Sequence, residues 1–257
     1  MDELARYNKA RWEELAGANV EFSRPFLELD AVSARSVVDA EGMLGEVAGK
    51  SVLCLAAGGG QQSAAFGLLG ARTTVFDLSE TQLERDRLAA EHYQLDITIV
   101  QGDMRDLSCF AEGTFDIVWQ AYSINFVPHT GPVFGQVRRV LRAGGLYRLQ
   151  YNNPYTQGLE EWDGRAYPLK WPYVEGTDMS KQFPHWDVDG GDGVIKQIES
   201  PREFLHTLST VVNGLIGHGF VIRGLWEEQS QDPAAEPGSW EHYKWFAPPY
   251  LTIWSRG

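Results

Sequence analysis

The sequence predicts an α/β fold in which helices cover both faces of a doubly wound, seven-stranded sheet, mostly parallel with an antiparallel last strand. Short apolar runs alternate with helical patterns from residue 51 to residue 150, which requires crossover helices between parallel strands. The segment 51–63 also passes from an apolar run through three glycines into a helical pattern. With 257 residues and 43% hydrophobic content, the chain can bury one large core, so we expect a single domain over residues 1–257.

An N-terminal helical cap is predicted over residues 1–48. Apolar residues recur at loosely helical spacing between Asp2 and Gly17, and a second helical stretch runs from about Asp30 to Leu44. Two interpretations are open for the cap. Tyr7, Trp12, Phe22 and Arg24 fold over a bound ligand, or they only dock the leading helix on the sheet. We favour the first interpretation for Tyr7 and Arg24.

Residues 49–150 are predicted to form the first five strands and the helices between them. The helices begin at Gln61, Ser79 and Pro132. Ser79 makes a capping box with the glutamine three residues later, and Pro132 suits a first helical turn. The predicted strands are Ser51–Ala57, Arg72–Asp77, Ile97–Gln101, Phe115–Trp119 and Gly145–Gln150.

The regular alternation stops after the fifth strand, so residues 151–200 are predicted to be an insertion. Its aromatic residues either wall a pocket for a planar, apolar or cationic ligand or form the core of a small lid. Within it, Asp187–Gly193 is predicted to be a hairpin turn, because it lacks the bidentate glutamate of a calcium loop. The aromatic residues are Tyr151, Tyr155, Trp162, Tyr167, Trp171, Tyr173, Phe183 and Trp186.

Residues 201–257 are predicted to complete the sheet. A helix is expected from Pro201 to about Ile216, followed by a strand from Phe220 to Glu227 and a last strand within Tyr243–Ser255. A polar loop rather than a crossover helix joins these two strands, so they should be antiparallel neighbours.

The glycine turn predicts a Rossmann-like nucleotide site. Gly58, Gly59 and Gly60 allow a ligand to approach the backbone closely, and the helix that follows offers free N–H groups. Asp77, at the end of the next apolar run, lies where ribose hydroxyls need an acceptor.

Charge and composition exclude several other classes. The 35 acidic and 22 basic residues give a formal charge of −13, which disfavours nucleic acid as a partner. No apolar run is long enough to span a bilayer and the N-terminus lacks the pattern of a leader, so we expect a soluble, cytoplasmic protein. Cys54 and Cys109 are expected to be reduced thiols, and we expect no metal site because no cluster has metal-ligand spacing.

Five short segments form an ordered series of motifs: Val52–Gly60, Val75–Ser79, Gln101–Met104, Phe115–Trp119 and Val137–Gly145. Their order resembles that of the motifs of class I S-adenosylmethionine-dependent methyltransferases. The resemblance is strongest to the small-molecule branch that includes the ubiquinone and menaquinone methyltransferases. The family usually has an acidic residue at the position of Cys54 and a glycine at the position of Ala56.

The resemblance implies a site for S-adenosylmethionine. It places Gly58 and Gly60 against the methionine part of the cofactor, Asp77 on the ribose, and Asp103 with Met104 at the adenine. The other cofactor contacts that we expect are Ala56, Gln62, Leu78, Gln120, Tyr7 and Arg24.

The loop after the fourth strand is expected to hold the methyl acceptor, because it leaves the sheet at the same edge as the glycine turn. Tyr122, Asn125 and His129 are the candidate acceptor contacts, although His129 fits a helix-entry residue equally well. His185 is a second acid-base candidate or a surface histidine. We expect methyl transfer to an oxygen, nitrogen or carbon of a small molecule. The alternatives are an NAD(P)-dependent oxidoreductase and a non-catalytic S-adenosylmethionine-binding protein.

Overall fold

The computed structural model describes residues 1–191 and 193–257. The helices are α1 (Glu3–Gly17), α2 (Ala31–Val38), α3 (Gln62–Leu68), α4 (Glu80–Tyr93), α5 (Gly131–Val140), α6 (Leu208–Gly217) and α7 (Trp240–Phe246). The strands are β1 (Ser51–Leu55), β2 (Arg72–Asp77), β3 (Ile97–Gln101), β4 (Phe115–Gln120), β5 (Leu141–Asn152), β6 (His185–Asp189), β7 (Ile195–Glu199), β8 (Val221–Glu227) and β9 (Tyr250–Arg256).

Seven of these strands form one twisted sheet in the order β3-β2-β1-β4-β5-β9-β8. The first five strands along the chain pair in parallel. Strand β9 lies between β5 and β8 and runs antiparallel to both. The predicted Rossmann-like, mostly parallel sheet with an antiparallel last strand is therefore confirmed.

Helices cover both faces of the sheet around β1 and β4, whose side chains point alternately to the two sides and are nearly all buried. On one face, Val52 and Cys54 pack against α2, α3 and α4. On the other face, Leu53 and Leu55 pack against the apolar sides of α5 and α6. The carboxyl ends of the parallel strands remain as the open edge between these layers, where a ligand can bind.

Several element boundaries differ from the prediction, and one helix was not predicted. Strand β5 begins at Leu141 rather than Gly145. Helix α2 ends at Val38 rather than near Leu44, because Asp39 Oδ1 accepts the N–H groups of Met43 and Leu44 and turns the chain. Helix α6 begins at Leu208 rather than Pro201, since the segment 201–207 hydrogen-bonds to neighbouring loops. Helix α7 lies in a stretch for which only a loop and a strand were predicted.

The insertion contains a two-stranded antiparallel sheet, in which β6 pairs with β7. This pairing agrees with the hairpin turn predicted for Asp187–Gly193. Asp192 of that turn lies outside the described residues. Val188 and Ile198 of the hairpin pack against Leu15 and Val20 of the N-terminal cap. The insertion and the cap thus contact each other. Within residues 1–191 and 193–257, no helix combines the length and apolarity needed to cross a membrane.

Candidate active site

A cavity of about 580 Å³ opens at the carboxyl ends of β1, β2 and β4; we call it the main cavity. Its floor is formed by the turn after β1, which contributes Ala56, Gly58 and Gln62, and by Asp77 and Leu78 after β2. These five residues were all predicted as cofactor contacts, and the structure brings them together.

Asp77 braces the turn that follows β1. Its Oδ2 accepts the N–H of Gly58 at 3.0 Å, and its Oδ1 accepts the N–H of Ser79 at 2.9 Å. A Cβ on Gly58 would lie 2.8 Å from Gln82 Cβ and 3.0 Å from Asp77 Cγ, so only glycine fits here. Burial raises the pKa of the Asp77 carboxyl, although the backbone hydrogen bonds oppose this.

The prediction that Gly60 contacts the cofactor is not supported by its position. Gly60 does not line the main cavity, and a Cβ on it would lie 2.5 Å from the carbonyl oxygen of Arg85. Its N–H donates to Asp86 at 3.1 Å, and that of Gly59 donates to the same carboxyl at 3.0 Å. Gly60 therefore packs the turn against α4 rather than facing the ligand.

Asp86 is a residue that the sequence interpretation missed. It is buried on the inner face of α4, and it also accepts the hydroxyl of Ser63. Burial raises its pKa to about 7, in spite of the hydrogen bonds from Ser63 and Gly59. The sequence feature that could have identified Asp86 is an acidic residue at a position of α4 that faces the core.

Ala56 has a left-handed backbone conformation, with φ of 45°. Its N–H donates to the carbonyl of Phe76 at 2.7 Å, which holds the turn in this shape. The resemblance expects a glycine at this position. The alanine therefore stores a small conformational strain at the edge of the cavity.

Asp103 and Met104, after β3, line the opposite wall of the main cavity. Arg105 Nη2 lies 2.6 Å from Asp103 Oδ2, and its Nη1 lies 2.7 Å from an oxygen of Asp2. Gln120 was predicted as a cofactor contact but does not line the main cavity. It is fully buried, its Nε2 lies 3.4 Å from Met104 Sδ, and it accepts the hydroxyl of Tyr147 at 2.5 Å.

The N-terminal cap covers the main cavity through two of its four candidate residues, Trp12 and Phe22. Asn8, Trp12 and Phe22 line it, together with Trp186 of β6. The indole of Trp12 meets the rings of Phe22 and Trp186 edge-on, with centroids 6.0 and 6.1 Å away. We call these three aromatic side chains the aromatic roof.

Tyr7 and Arg24, which were predicted to contact the cofactor, lie outside the lining of the main cavity. The Tyr7 hydroxyl donates to the carbonyl of Ser200 at 3.1 Å. The guanidinium of Arg24 donates to the carbonyls of Asn19 and Asp189. Both side chains therefore connect the cap to the segment around β6 and β7.

Of the predicted acceptor contacts, only Tyr122 lines the main cavity. Asn125 is fully buried, donates to the carbonyl of Phe204 at 3.0 Å and accepts the N–H of Asn152 at 3.1 Å. Its role in the structure is to fix two backbone segments. His129 is exposed and lies outside the lining, and His185 is exposed on β6.

A partly buried polar cluster around Glu203 was not predicted. The Glu203 Oε1 accepts the hydroxyl of Tyr122, the Nδ2 of Asn152 at 2.5 Å and the Nε2 of Gln157 at 2.7 Å. Glu203 lies in the segment for which a helix was predicted. There the N–H of Phe204 donates to the carbonyl of Asn125 at 2.7 Å instead.

A second cavity of about 640 Å³ adjoins the main one; we call it the aromatic cavity. Asn152, Glu203 and Tyr250 line both cavities and form the wall between them. The other lining includes aromatic residues of the insertion and of α7: Trp162, Tyr167, Phe183, Trp240 and Tyr243.

The donor and acceptor groups of the main cavity fit S-adenosylmethionine. The carboxylates of Asp77 and Asp103 can accept hydrogen bonds from ribose hydroxyls, an amino group or an adenine amine. Gln82 also lines this cavity, and its buried Oε1 has no hydrogen-bond partner among the described residues. A buried acceptor without a partner is costly unless a ligand supplies the donor.

Comparisons with known proteins agree with this fit. Residues 53–149 match the family described as "Methyltransferase domain". The chain is 33% identical over 187 residues to the uncharacterized methyltransferase YbaJ of Bacillus subtilis (strain 168), covering 71% of this chain and 70% of that protein. It is 37% identical over 101 residues to a demethylmenaquinone methyltransferase of Clavibacter sepedonicus, covering 38% of this chain and 40% of that protein.

Solved structures show the same fold. An S-adenosylmethionine-dependent methyltransferase from Mesorhizobium loti superposes with a TM-score of 0.63 and 23% identity, covering 90% of this chain and 100% of that one. The fold and the site define a Rossmann-like methyltransferase. The chain belongs to the class I S-adenosylmethionine-dependent methyltransferases, and S-adenosylmethionine is its cofactor. The oxidoreductase alternative finds no support in these comparisons.

Proposed function

We propose that this methyltransferase acts on a small molecule and methylates an oxygen, nitrogen or carbon atom of it. The observation that carries the proposal is the pair of adjoining cavities, which share Asn152, Glu203 and Tyr250 in their linings. Volumes of about 580 and 640 Å³ are in the range of small-molecule sites. The aromatic roof and residues of the insertion cover part of these cavities, and the net charge of −13 disfavours nucleic acid.

The proposed cofactor site uses Gly58, Asp77, Asp103 and Met104, with Ala56, Gln62 and Leu78 beside them. When bound, the cofactor supplies a methyl group on a positively charged sulfur. The chain's own part is to orient the acceptor and exclude water, which in favourable cases supplies about 7–11 kcal/mol of the barrier reduction. We also propose the division into a cap (1–48), a cofactor-binding core (49–150), a lid insertion (151–200) and a C-terminal part of the sheet (201–257) within one domain.

The cofactor residues are tested by calorimetric titration of S-adenosylmethionine, S-adenosylhomocysteine and NAD(P)H into the wild type and Asp77→Ala. Removing Asp77 takes away the acceptor for Gly58 and Ser79 and a carboxylate that faces the ligand. We expect affinity for the first two compounds to fall by about 1–3 kcal/mol. Asp96→Ala, an exposed aspartate between α4 and β3, is the matched control and should bind like the wild type.

Unchanged affinity in a correctly folded Asp77→Ala protein would contradict the placement of the cofactor. The small-molecule proposal is tested next by measuring S-adenosylhomocysteine release with a broad panel of phenols, amines, thiols and activated carbon acids. Turnover of peptides or RNA instead of any small acceptor would refute it.

A further inference from the structure

We infer that the acceptor occupies the aromatic cavity, that it is a flat, uncharged or cationic molecule presenting an O–H or N–H group, and that Glu203 is the catalytic residue that takes its proton. This inference deepens the proposed function and rests on it. It is carried by the position of Glu203 on the wall between the two cavities, where an acceptor group would meet the cofactor.

The geometry leaves one oxygen of Glu203 for the acceptor. Among the described residues, the hydrogen bonds from Tyr122, Asn152 and Gln157 all end on Oε1. They hold the carboxyl group in place and leave Oε2 to receive a proton. Gln157 lines the aromatic cavity, and its buried Oε1 has no hydrogen-bond partner in the described chain. An N–H or O–H group of the bound methyl acceptor would supply that hydrogen bond.

The walls of the aromatic cavity suit a flat molecule. The rings of Trp162 and Tyr167 lie 5.2 Å apart, those of Tyr167 and Tyr243 lie 5.1 Å apart, and Trp240 stacks on Tyr243 with an interplanar angle of 9°. Such rings contribute apolar area and bind planar or cationic groups on their faces.

The charges around the aromatic cavity disfavour an anion. Three carboxyl groups line it, Glu160, Glu161 and Glu203, and no lysine or arginine of the described chain does. Lys170 pairs with Glu160 at 3.2 Å, whereas Glu161 and Glu203 have no ion-pair partner within residues 1–191 and 193–257. A phosphate or carboxylate on the acceptor would meet like charges here.

The proton transfer balances with methyl transfer. The carbon–sulfur bond of the cofactor breaks with both electrons left on sulfur, while the acceptor oxygen or nitrogen forms the new bond to carbon. The proton of that O–H or N–H passes to Glu203 Oε2 and from there to solvent. Burial raises the pKa of Glu203 above its ordinary value although its three hydrogen bonds oppose this, which brings the carboxylate closer to the basicity that the task needs.

The titratable groups that face Glu203 are two tyrosines. Tyr122 comes from the loop after β4, and Tyr250 comes from β9, with its ring 5.4 Å from that of Tyr122. Burial raises the pKa of both hydroxyls well above neutrality, so both stay protonated at physiological pH. Glu203 is therefore the group of this wall that changes charge between acidic and neutral pH.

The first test uses three naphthols that differ in charge: 6-hydroxy-2-naphthamide, 6-aminomethyl-2-naphthol and 6-hydroxy-2-naphthoate. Each is titrated calorimetrically into the protein saturated with S-adenosylhomocysteine. We expect the neutral and cationic compounds to bind at least about tenfold more tightly than the anion. Trp162→Ala should weaken both, because the indole lines the aromatic cavity.

The second test measures naphthol methylation by Glu203→Gln, which keeps an oxygen for Tyr122. We expect kcat to fall about 100-fold or more, and the acidic limb of the wild-type pH–rate profile to disappear. Affinity for S-adenosylhomocysteine should stay within a few-fold of wild type. Glu112→Gln, an exposed glutamate before β4, is the control and should behave like the wild type.

The outcomes separate this inference from the proposed function. Failure of the wild type to bind S-adenosylhomocysteine would refute the cofactor site itself. If that ligand binds, three results each overturn the inference: equal or tighter binding of the anionic naphthol, no binding or turnover of the neutral and cationic ones, or turnover by Glu203→Gln within a few-fold of wild type.

Discussion

The substitution Asp86→Asn should remove a pH dependence of stability that originates beneath the glycine turn. The Asp86 carboxyl accepts two backbone N–H groups, from Gly59 at 3.0 Å and Gly60 at 3.1 Å, as well as the hydroxyl of Ser63. Asparagine has the same shape but only one acceptor oxygen, so its NH₂ group must face one of these donors. In return it carries no charge that burial can destabilise.

The expected size follows from the pKa of Asp86, which burial raises from 3.8 to about 7 in the folded protein. Between these values the folded state holds a proton that the unfolded state has released, so the free energy of unfolding falls as the pH rises. At about 1.4 kcal/mol per pKa unit, the wild type should lose roughly 2–3 kcal/mol from pH 5 to pH 8 through this one group. The asparagine variant lacks that loss.

The assay is urea unfolding of the wild type and Asp86→Asn at pH 5, 6.5 and 8. The difference in unfolding free energy should shift in favour of the variant by roughly 2–3 kcal/mol across this range. Asp96→Asn, on the exposed loop before β3, is the control, and its free energy of unfolding should change with pH as that of the wild type does. If the Asp86→Asn curve also stays parallel to that of the wild type, Asp86 is ionised throughout and the argument from burial is wrong.

Two further substitutions test the turn and the cap. Ala56→Gly should stabilise the fold by up to about 1 kcal/mol in thermal unfolding, because it relieves the left-handed alanine; Ala10→Gly, on the exposed side of α1, should instead destabilise by a similar amount. Glu13→Gln should loosen the cap by about 1 kcal/mol, since Glu13 accepts the first N–H groups of α4. Hydrogen exchange of α1 should become faster above pH 4.5 and match the wild type towards pH 2, because hydrogen bonds from Lys9 and Thr81 overcome burial and lower the pKa of Glu13 to about 2. Unchanged exchange at neutral pH would contradict this.

The floor of the main cavity could be predicted from the sequence because its parts are local. Gly58 lies in the turn after β1, and Asp77 is the last residue of β2. The geometry of the βαβ unit brings the two together. Gly60 could not be assigned in the same way. Whether a glycine faces the ligand or a neighbouring helix depends on how α4 packs, and that packing has no local signal.

The acceptor side could not be predicted, since its residues come from segments far apart in the chain. Glu203 lies 81 residues after Tyr122 and 51 after Asn152, and it sits in an irregular segment that resembles a helix in pattern. The signal that would have helped is Thr207, whose hydroxyl caps α6 and so places the helix start after Glu203. The quinone-methyltransferase branch also stays a prediction, since the match to the demethylmenaquinone enzyme covers only 38% of this chain.

Glu203 is partly buried and lines the main cavity together with the apolar rings of the aromatic roof. Apolar surroundings lower the local dielectric constant and strengthen the attraction between a carboxylate and a nearby cation. In such an environment the positive charge on the cofactor's sulfur and the negative charge on Glu203 are poorly solvated, so keeping the two charges separate costs free energy. When Glu203 takes the acceptor's proton as the methyl group moves, both charges are neutralised together. The carboxylate of Glu203 therefore favours an acceptor that loses a proton over a neutral tertiary amine or thioether, which has no proton to transfer.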